Sequence, residues 1–444
     1  MNKLVTIFGT ILFLSATGWS QNSFTLQEAK EYALKNSLTI KNSEYEIDVM
    51  NQKYIEVRGM GLPQVQINGT FNNFLNLPVS VIDAQFFNPN ATPGDLISFR
   101  AGTEYSATGS LEVGQLLFNG SYIIGLKVAK YLKSFQASSS NIEKEDVIFN
   151  VIQSYEMVAV AKENQQFVDS MVLITEKLIE KQKNYLELGL MQQEDMDQLS
   201  YSLLTAKDAQ LSAKIQYENA LSALKLTMGY PMENQLSISE NTEKLMNQST
   251  LSTPGDITNN RTYQLLEQQV VLSEYNVRNN EFANLPSLNA FFQHSYNAYR
   301  NEFDFFQDKQ WFAQTVWGLK LNIPIFSGLS RHAVTTQSRI KLLQDQNAVK
   351  QMEQTLKFQS AQAQNNLSNA QSKFKLQQEN ISLARNIYNN AITKKDIGEG
   401  NSIIVTQKYN QLMVAQAQYV GSLVDVFQAR LALDKIYNKL LPTE

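Results

Sequence analysis

The sequence predicts an α+β protein made of two tandem copies of one unit, in which a pair of β-strands is followed by a pair of very long α-helices. Residues 126–188, 190–228 and 329–397 contain neither Gly nor Pro, the residues that helix interiors exclude. Four other segments alternate apolar and polar residues in the manner of half-exposed strands. Landmarks of the first half recur in the second half at nearly constant spacing.

Residues 1–20 predict a secretion signal peptide that is not part of the fold. Lys3 forms a short positive region, an apolar run of 11 residues follows it, and the small residues Gly18 and Ser20 precede an expected cleavage site before Gln21. The alternative is a membrane anchor, but a helix needs about 20 apolar residues to span a bilayer. We therefore expect a secreted protein.

Alternating residues mark four predicted strands: 64–71, 104–114, 288–298 and 311–325. Each has one apolar face and one polar face, and aromatic residues gather near the strand ends. This pattern is typical of a transmembrane β-barrel with a wet interior, although a half-buried soluble sheet alternates in the same way. Four strands cannot close a barrel, and lipid does not tolerate an open sheet edge. Several chains must therefore share one barrel, and three chains would give 12 strands.

The connections within the two strand pairs predict an orientation. Residues 75–103 form one long polar loop and residues 300–310 form another. Outer-membrane barrels carry their longer loops on the outside. The helices are therefore expected to project from the opposite, periplasmic end.

The runs without Gly or Pro predict helices of unusual length. Apolar residues such as Val151, Tyr155 and Val158 recur at spacings of three and four. At about 1.5 Å per residue, the two longest runs make rods of roughly 95–105 Å. Gly189 and Gly398 follow these rods and suit a left-handed helix cap, after which the helical pattern resumes. Each half therefore contains an αα-hairpin.

Composition argues against several other classes of protein. There is no Cys, which excludes disulfides and zinc–thiolate sites, and the net charge of -4 gives no footprint for nucleic acid. His294 and His332 have no metal-ligand partner three or four residues away. Neither a phosphate-binding Gly loop nor a catalytic constellation is found. We therefore expect no enzyme activity, no cofactor, no metal site and no nucleic-acid partner.

The two halves of the chain correspond nearly residue by residue. "GLPQVQINGTFNNF" (61–74) matches "NLPSLNAFFQHSY" (284–296), and "LFNG" (117–120) matches "IFSG" (325–328). These pairs are 223 and 208 residues apart, and the two turn glycines are 209 residues apart. The chain is therefore an internal tandem repeat with an insertion or deletion in the first strand connection.

In this order the landmarks resemble the TolC family of outer-membrane efflux channels. The resemblance rests on "FTLQEAKEYALKNSLTI", the two "LP" strand starts, "LFNG" and "IFSG", the turns "LGLMQQEDMDQL" and "IGEGNSIIVTQ", and "NALSALKLTMGYP". It covers residues 24–440. The order and doubling of these motifs are more specific than any one of them.

The resemblance implies a homotrimer. A 12-stranded barrel, four strands per protomer, lies in the outer membrane of a Gram-negative bacterium and is continued by a 12-helix coiled-coil barrel in the periplasm. Such a channel passively conducts substrates in a tripartite efflux or type I secretion system. The implied partners are outer-membrane lipid, a periplasmic adaptor (membrane fusion) protein and an inner-membrane pump of the RND or ABC type. The alternative is a soluble periplasmic coiled-coil adaptor or scaffold, although adaptors usually carry one helical hairpin between β-domains.

These expectations divide the chain into seven segments. They are residues 1–20 (signal peptide), 21–62 (N-terminal helix), 63–118 (first β-hairpin), 119–229 (first αα-hairpin), 230–285 (equatorial segment and second-repeat helix), 286–326 (second β-hairpin) and 327–442 (second αα-hairpin). In the family, the N-terminal helix and residues 259–283 stack on the shorter helix of each hairpin.

The resemblance places the channel entrance at the hairpin turns, where family members often carry Asp six residues after the turn Gly. Asp195 has that spacing after Gly189, between Glu194 and Asp197, whereas Ile404 has it in the second half. Acidic copies would favour cations and pair with lysines across a closed gate. The alternative is a solvated helix start, because acidic residues suit the helix dipole there. The entrance candidates are Glu194, Asp195, Asp197, Lys394, Lys395, Asn401, Ile404 and Gln407.

Two further groups of residues are singled out. The candidates for adaptor docking at the turns are Leu188, Gly189, Leu190, Ile397, Gly398, Glu399 and Gly400. Packing of the leucines at a helix end is the alternative for these. The strand-to-helix joints are Phe118, Gly120, Phe326 and Gly328. The phenylalanines are expected at the membrane interface, the glycines are expected to turn the backbone, and Ser121 or Ser327 is expected to cap the helix.

Overall fold

The computed structural model describes residues 22–248 and 255–441, and the expected signal peptide lies outside the described residues. The chain folds into two compact units. As far as they are described, the first consists of Met1–Ser43, Ser140–Arg261 and Glu353–Glu444, and the second of Glu44–Ser139 and Thr262–Met352. The turns of the long hairpins belong to the first unit, and the main β-sheet belongs to the second.

Within the described ranges the chain forms eight α-helices. They are α1 (Leu26–Asn36), α2 (Leu38–Gly59), α3 (Gly120–Glu187), α4 (Gln193–Met228), α5 (Thr242–Gln248), α6 (Arg261–Phe282), α7 (Ser330–Asp396) and α8 (Ser402–Ile436). The two predicted hairpins are α3–α4 and α7–α8, whose first helices have 68 and 67 residues. In these same ranges no helix is both long enough and apolar enough to cross a membrane.

The described residues also form eight strands, four of them in one antiparallel sheet. The strands are β1 (Asn22–Phe24), β2 (Gln64–Asn73), β3 (Val79–Asp83), β4 (Leu96–Arg100), β5 (Tyr105–Phe118), β6 (Leu236–Ile238), β7 (Ser287–Arg300) and β8 (Phe312–Asn322). The main sheet has the order β2-β5-β7-β8. Its members are the four strands that the alternating pattern predicts. β2 and β8 are its two edges.

Two segments are more structured than the sequence analysis predicts. In place of one N-terminal helix the chain has α1 and α2, because the backbone leaves the helical conformation at Ser37 (φ −58°, ψ 125°). In place of an irregular loop at 75–103 the chain forms a β3–β4 hairpin around a short 3-10 helix, Ala84–Phe86. In the middle segment, β6 pairs in parallel with β1.

The largest apolar core of the first unit is built by helices from both halves. α1, α3, α4 and α8 all contribute buried side chains to it. The predicted apolar stripe of α3 lies there, with Val151, Tyr155 and Val158 fully buried. The Tyr155 hydroxyl donates to the Phe24 carbonyl at 2.8 Å, which supplies the polar partner that a buried tyrosine needs. Burial of each such side chain stabilises the fold by about 1.5–3 kcal/mol.

Candidate functional site

The turns of the two long hairpins are built alike. α3 and α7 are each followed by a glycine with a left-handed backbone, Gly189 (φ 70°) and Gly398 (φ 81°). One residue later a backbone N–H donates to the carbonyl five residues before it, from Leu190 to Tyr185 at 2.9 Å, and the second turn repeats this bond at the same distance. These are Schellman caps. The glycines thus have the conformation that the sequence predicts for them.

The surface of these turns carries most of the docking candidates. Those exposed to solvent are Leu188, Gly189, Leu190, Ile397, Gly398 and Glu399. Gly400 has a different role, because a Cβ at this position would lie 3.0 Å from the backbone nitrogen of Lys395. The second turn therefore needs glycine at this position for close backbone packing.

Asp195 connects the two hairpins. Its Oδ1 accepts a hydrogen bond from the backbone N–H of Ser402 at 3.1 Å and lies 3.9 Å from the Lys395 ammonium nitrogen. The Lys395 side chain is only 8% exposed. An N–H at a helix start has no partner within the helix, so Asp195 of α4 supplies one to α8. The structure therefore brings Asp195 and Lys395 together within one chain.

A second ion pair joins the same hairpins and is not predicted from the sequence. The Lys181 ammonium of α3 lies 2.9 Å from the Asp396 carboxylate at the end of α7. Both side chains are partly exposed, so this pair alone stabilises the contact by at most about 1 kcal/mol. No local pattern marks Lys181, because its partner lies on the other hairpin.

The remaining entrance candidates are at the surface. Glu194 and Asp197 are exposed, and Asp197 accepts a hydrogen bond from the Gln193 side chain at 2.8 Å within the first turn of α4. Asn401 caps α8, because its side chain accepts from the Ile404 backbone N–H at 2.9 Å. The exposed candidates beside these are Lys394, Ile404 and Gln407.

Behind the turns the two hairpins share a second apolar core. The Ser202 and Thr406 hydroxyls form a buried hydrogen bond of 2.9 Å between α4 and α8. Close to it, the rings of Tyr388 and Tyr409 are 6.1 Å apart, and burial raises the pKa of Tyr409 to about 12. Tyr409 is therefore neutral at ordinary pH, and the paired turns rest on a core without buried net charge from these groups.

The two strand-to-helix joints differ from each other. At the first, the helix cap is Asn119, whose side chain accepts from the Tyr122 N–H at 3.0 Å. Ser121 does not cap this helix, since its hydroxyl donates to a carbonyl of α6 instead. Gly120 is the first residue of α3, and a Cβ on it would lie 2.5 Å from the Phe282 carbonyl oxygen. Gly120 therefore permits close packing and does not turn the backbone, which corrects the expectation for this joint.

At the second joint the backbone does turn. Gly328 (φ 58°) and Leu329 (φ 65°) both have left-handed conformations before α7 begins at Ser330. Phe326 is exposed here, as Phe118 is at the first joint. The equivalent glycines of the two repeats thus serve different local needs.

The fold and the site can now be compared with known proteins. Residues 257–439 match the model of the outer membrane efflux protein family. These residues form an outer membrane efflux protein domain. The domain contains α6, β7, β8, α7 and α8, which is the second copy of the repeated unit. No curated protein sequence matches the chain.

Solved structures have the same fold along nearly the whole chain. CusC, reported in connection with transmembrane channel formation, gives a TM-score of 0.73 at 14% identity over 94% of this chain and 92% of its own. The outer membrane protein VceC of Vibrio cholerae gives 0.68 at 14% over 93% and 95%. The MtrE outer membrane channel of Neisseria gonorrhoeae, in its open state, gives 0.70 at 12% over 93% and 88%.

The predicted resemblance to outer-membrane efflux channels is therefore confirmed. The efflux protein domain supports it through sequence, and the whole chain supports it through fold. The first half, which no family model matches, repeats the strand pair and the helix pair of the domain.

Proposed function

We propose that the chain is one third of a homotrimeric outer-membrane channel. Three sheets form a 12-stranded barrel in the outer membrane of a Gram-negative bacterium, and the long helices continue it as a coiled-coil barrel in the periplasm. The channel passively passes substrates that an inner-membrane pump of the RND or ABC type delivers. A periplasmic adaptor joins the two, as in tripartite efflux or type I secretion.

The two free edges of the main sheet carry this proposal. Apolar side chains project from the edge strands with little cover, since Ile67 of β2 is 81% exposed and Trp317 of β8 is 76% exposed. Lipid would cover such side chains favourably, but it does not tolerate unpaired strand edges. Pairing β8 of one copy with β2 of the next removes both edges and closes a ring. An adaptor or scaffold in periplasmic water would leave this apolar surface uncovered.

The hairpin turns are the proposed entrance. The contact of Asp195 with Ser402 and Lys395 ties the hairpins of one copy together, and the pair of Lys181 with Asp396 adds to it. In this arrangement the entrance is held narrow. Opening requires one hairpin to move away from the other, which breaks these polar contacts.

The exposed residues around the turns give the entrance its other proposed properties. Glu194 and Asp197 place two free carboxylates per copy near the mouth, and a ring of such charges attracts cations. Leu188, Leu190 and Ile397 present apolar groups at the turns. These three side chains are the proposed contact with the adaptor.

Reconstitution of the mature protein tests the proposed function. We expect it to fractionate with the outer membrane, to run as a trimer on SDS gels before heating and to give discrete conductance steps in planar bilayers. Heating before electrophoresis converts the same sample to monomer and serves as the internal control. A monomer in the soluble periplasmic fraction with no conductance would overturn the proposal.

A further inference from the structure

The β3–β4 hairpin exposes apolar side chains on both of its faces. The register pairs Val81 with Ser98 and Ile82 with Ile97, so neighbouring positions alternate between the faces. Val79, Val81 and Leu96 are exposed on one face, and Ile97 and Phe99 are exposed on the other. A two-stranded hairpin is only marginally stable by itself in water. Its apolar faces therefore call for a covering surface.

This hairpin is an extension of one edge of the main sheet. The β2–β5 ladder ends at the pair Asn73–Tyr105 and continues through a hydrogen bond from the Phe74 N–H to the Glu104 carbonyl at 2.8 Å. β3 and β4 follow within a few residues on either side. The hairpin thus grows from β2, which is an edge strand.

The opposite edge carries an aromatic loop at the same end of the sheet. Tyr105 pairs with Arg300 at the end of β7, and residues 301–311 connect that strand to β8, the other edge. The two edges of one sheet therefore carry different structures at one end, a hairpin beside β2 and a loop beside β8.

The loop is held in a defined conformation. The Arg300 guanidinium lies 3.2 Å from the Asp304 carboxylate, and both side chains are less than a tenth exposed. Arg300 also donates to the Gln310 carbonyl at 2.9 Å. This buried pair fixes the loop while Phe303 and Phe306 point to solvent, the latter 91% exposed. A loop with rigid ends and uncovered rings is suited to bind an apolar surface.

We propose that the β3–β4 hairpin of one copy packs against the Phe303–Phe306 loop of the next copy. This rests on the proposed function, because pairing β8 with β2 of a neighbour brings the two structures to the same place at the outer end of the barrel. Each copy offers its hairpin to one neighbour and its loop to the other. Three such contacts form a belt around the outer mouth that stabilises the trimer separately from the barrel strands.

Cross-linking in the Cys-free chain tests this contact. In the double variant Val81→Cys/Phe306→Cys, a short bis-maleimide applied to the assembled protein is expected to give covalent dimers and trimers on denaturing gels after heating. The two single variants are matched controls, and we expect monomers from each because only unlike positions of neighbouring copies are close. An uncross-linked aliquot of each variant establishes that the trimer and its conductance are intact.

The outcomes separate this inference from the proposed function. An intact, conducting trimer that yields only monomers after cross-linking overturns the hairpin–loop contact and leaves the channel standing. A protein that forms no trimer overturns both. Covalent trimers in the double variant alone support both.

A second variant tests the same contact without new thiols. Phe306→Ser removes the most exposed ring of the loop, and we expect the trimer to dissociate in SDS at a temperature several degrees lower. Glu302→Ser in the same loop is the control and is expected to leave this temperature unchanged. Equal behaviour of the two variants would contradict the proposed belt.

Discussion

At the scale of single residues, Asp195 has the most specific environment at the hairpin turns. Its carboxylate meets a helix N-terminus and a nearly buried lysine at once. Both partners favour negative charge at this position. One residue of the first repeat thereby determines how the second hairpin begins.

Asp195→Ala is expected to loosen the entrance. The change leaves the Ser402 N–H without its acceptor, a loss comparable to a helix cap of about 0.5–2 kcal/mol, and removes the carboxylate beside Lys395. We expect a several-fold higher open probability in planar bilayers. Asp195→Asn, which keeps an acceptor of the same shape, is the matched control and is expected to have a smaller effect. A wild-type record from Asp195→Ala would contradict the entrance assignment.

Glu145 gives the first unit a pH-dependent stability. Burial raises the pKa of Glu145 to about 7, although Arg261 and Lys435 act in the opposite direction. The unfolded carboxyl titrates near 4.5, so between these values only the folded state holds the proton. The free energy of unfolding therefore falls as pH rises from about 5 to 7, by on the order of 2–3 kcal/mol, and changes little above that.

Glu145→Gln removes this titration. We expect the thermal unfolding midpoint of the variant to drop less between pH 5 and pH 8 than that of the unsubstituted protein. Some dependence remains, because burial also raises the pKa of Glu156 to about 7 beside Arg430. An unchanged difference between the two pH values would show that Glu145 does not titrate in this range.

At the scale of elements, the hairpin turns depend on their glycines. Gly398→Ala forces a residue with a Cβ into φ 81°, which costs about 1–2 kcal/mol. Gly421 of α8 is the matched control, since its surroundings are open and alanine favours a helix interior by about 1 kcal/mol. Thermal unfolding should show a lower midpoint for Gly398→Ala and an equal or higher one for Gly421→Ala. A lower midpoint for both would point to general intolerance of substitution.

The elements that the sequence predicts are those whose signals are repeated along their length. The long helices repeat their spacing over more than 60 residues, and the four strands of the main sheet alternate over about ten. The β3–β4 hairpin also alternates, but over only five residues per strand and close to Pro78 and Pro93. Its signal is too short to outweigh those turn residues.

The site is predictable only in part for a similar reason. The spacing of Asp195 from its turn glycine marks it as an entrance residue, but its acceptor role depends on Ser402, 207 residues away on another hairpin. No local pattern carries such a pairing. The difference between Gly120 and Gly328 is likewise set by what packs against each joint.

At the scale of the whole molecule, the four long-helix ends still show the duplication. Gly189, Gly229, Gly398 and Asn438 follow α3, α4, α7 and α8, and all have positive φ. Each is followed by the same backbone bond to the carbonyl five residues before. The corresponding ends of the two halves are 209 residues apart in both cases. A repeat preserved at this precision fits a ring in which each half contributes an equivalent sector.

Such a ring should respond differently to charge on the two faces of its strands. Leu319 and Val316 of β8 point to opposite faces of the sheet because side chains alternate along a strand. If the face of Leu319 meets lipid, Leu319→Arg costs about 2–4 kcal/mol near the middle of the bilayer. We expect this variant to lose SDS-resistant trimer from the membrane fraction.

Val316→Arg is the matched control, because it adds the same charge three residues away on the face that lines the proposed pore. Its trimer should still insert, and three new positive charges should shift the reversal potential in a salt gradient towards anion selectivity. Equal loss of insertion from both variants would mean that both faces of the sheet are buried against protein. That arrangement belongs to a closed soluble sheet and is incompatible with a shared barrel, so this one comparison tests strand orientation, lipid contact and pore together.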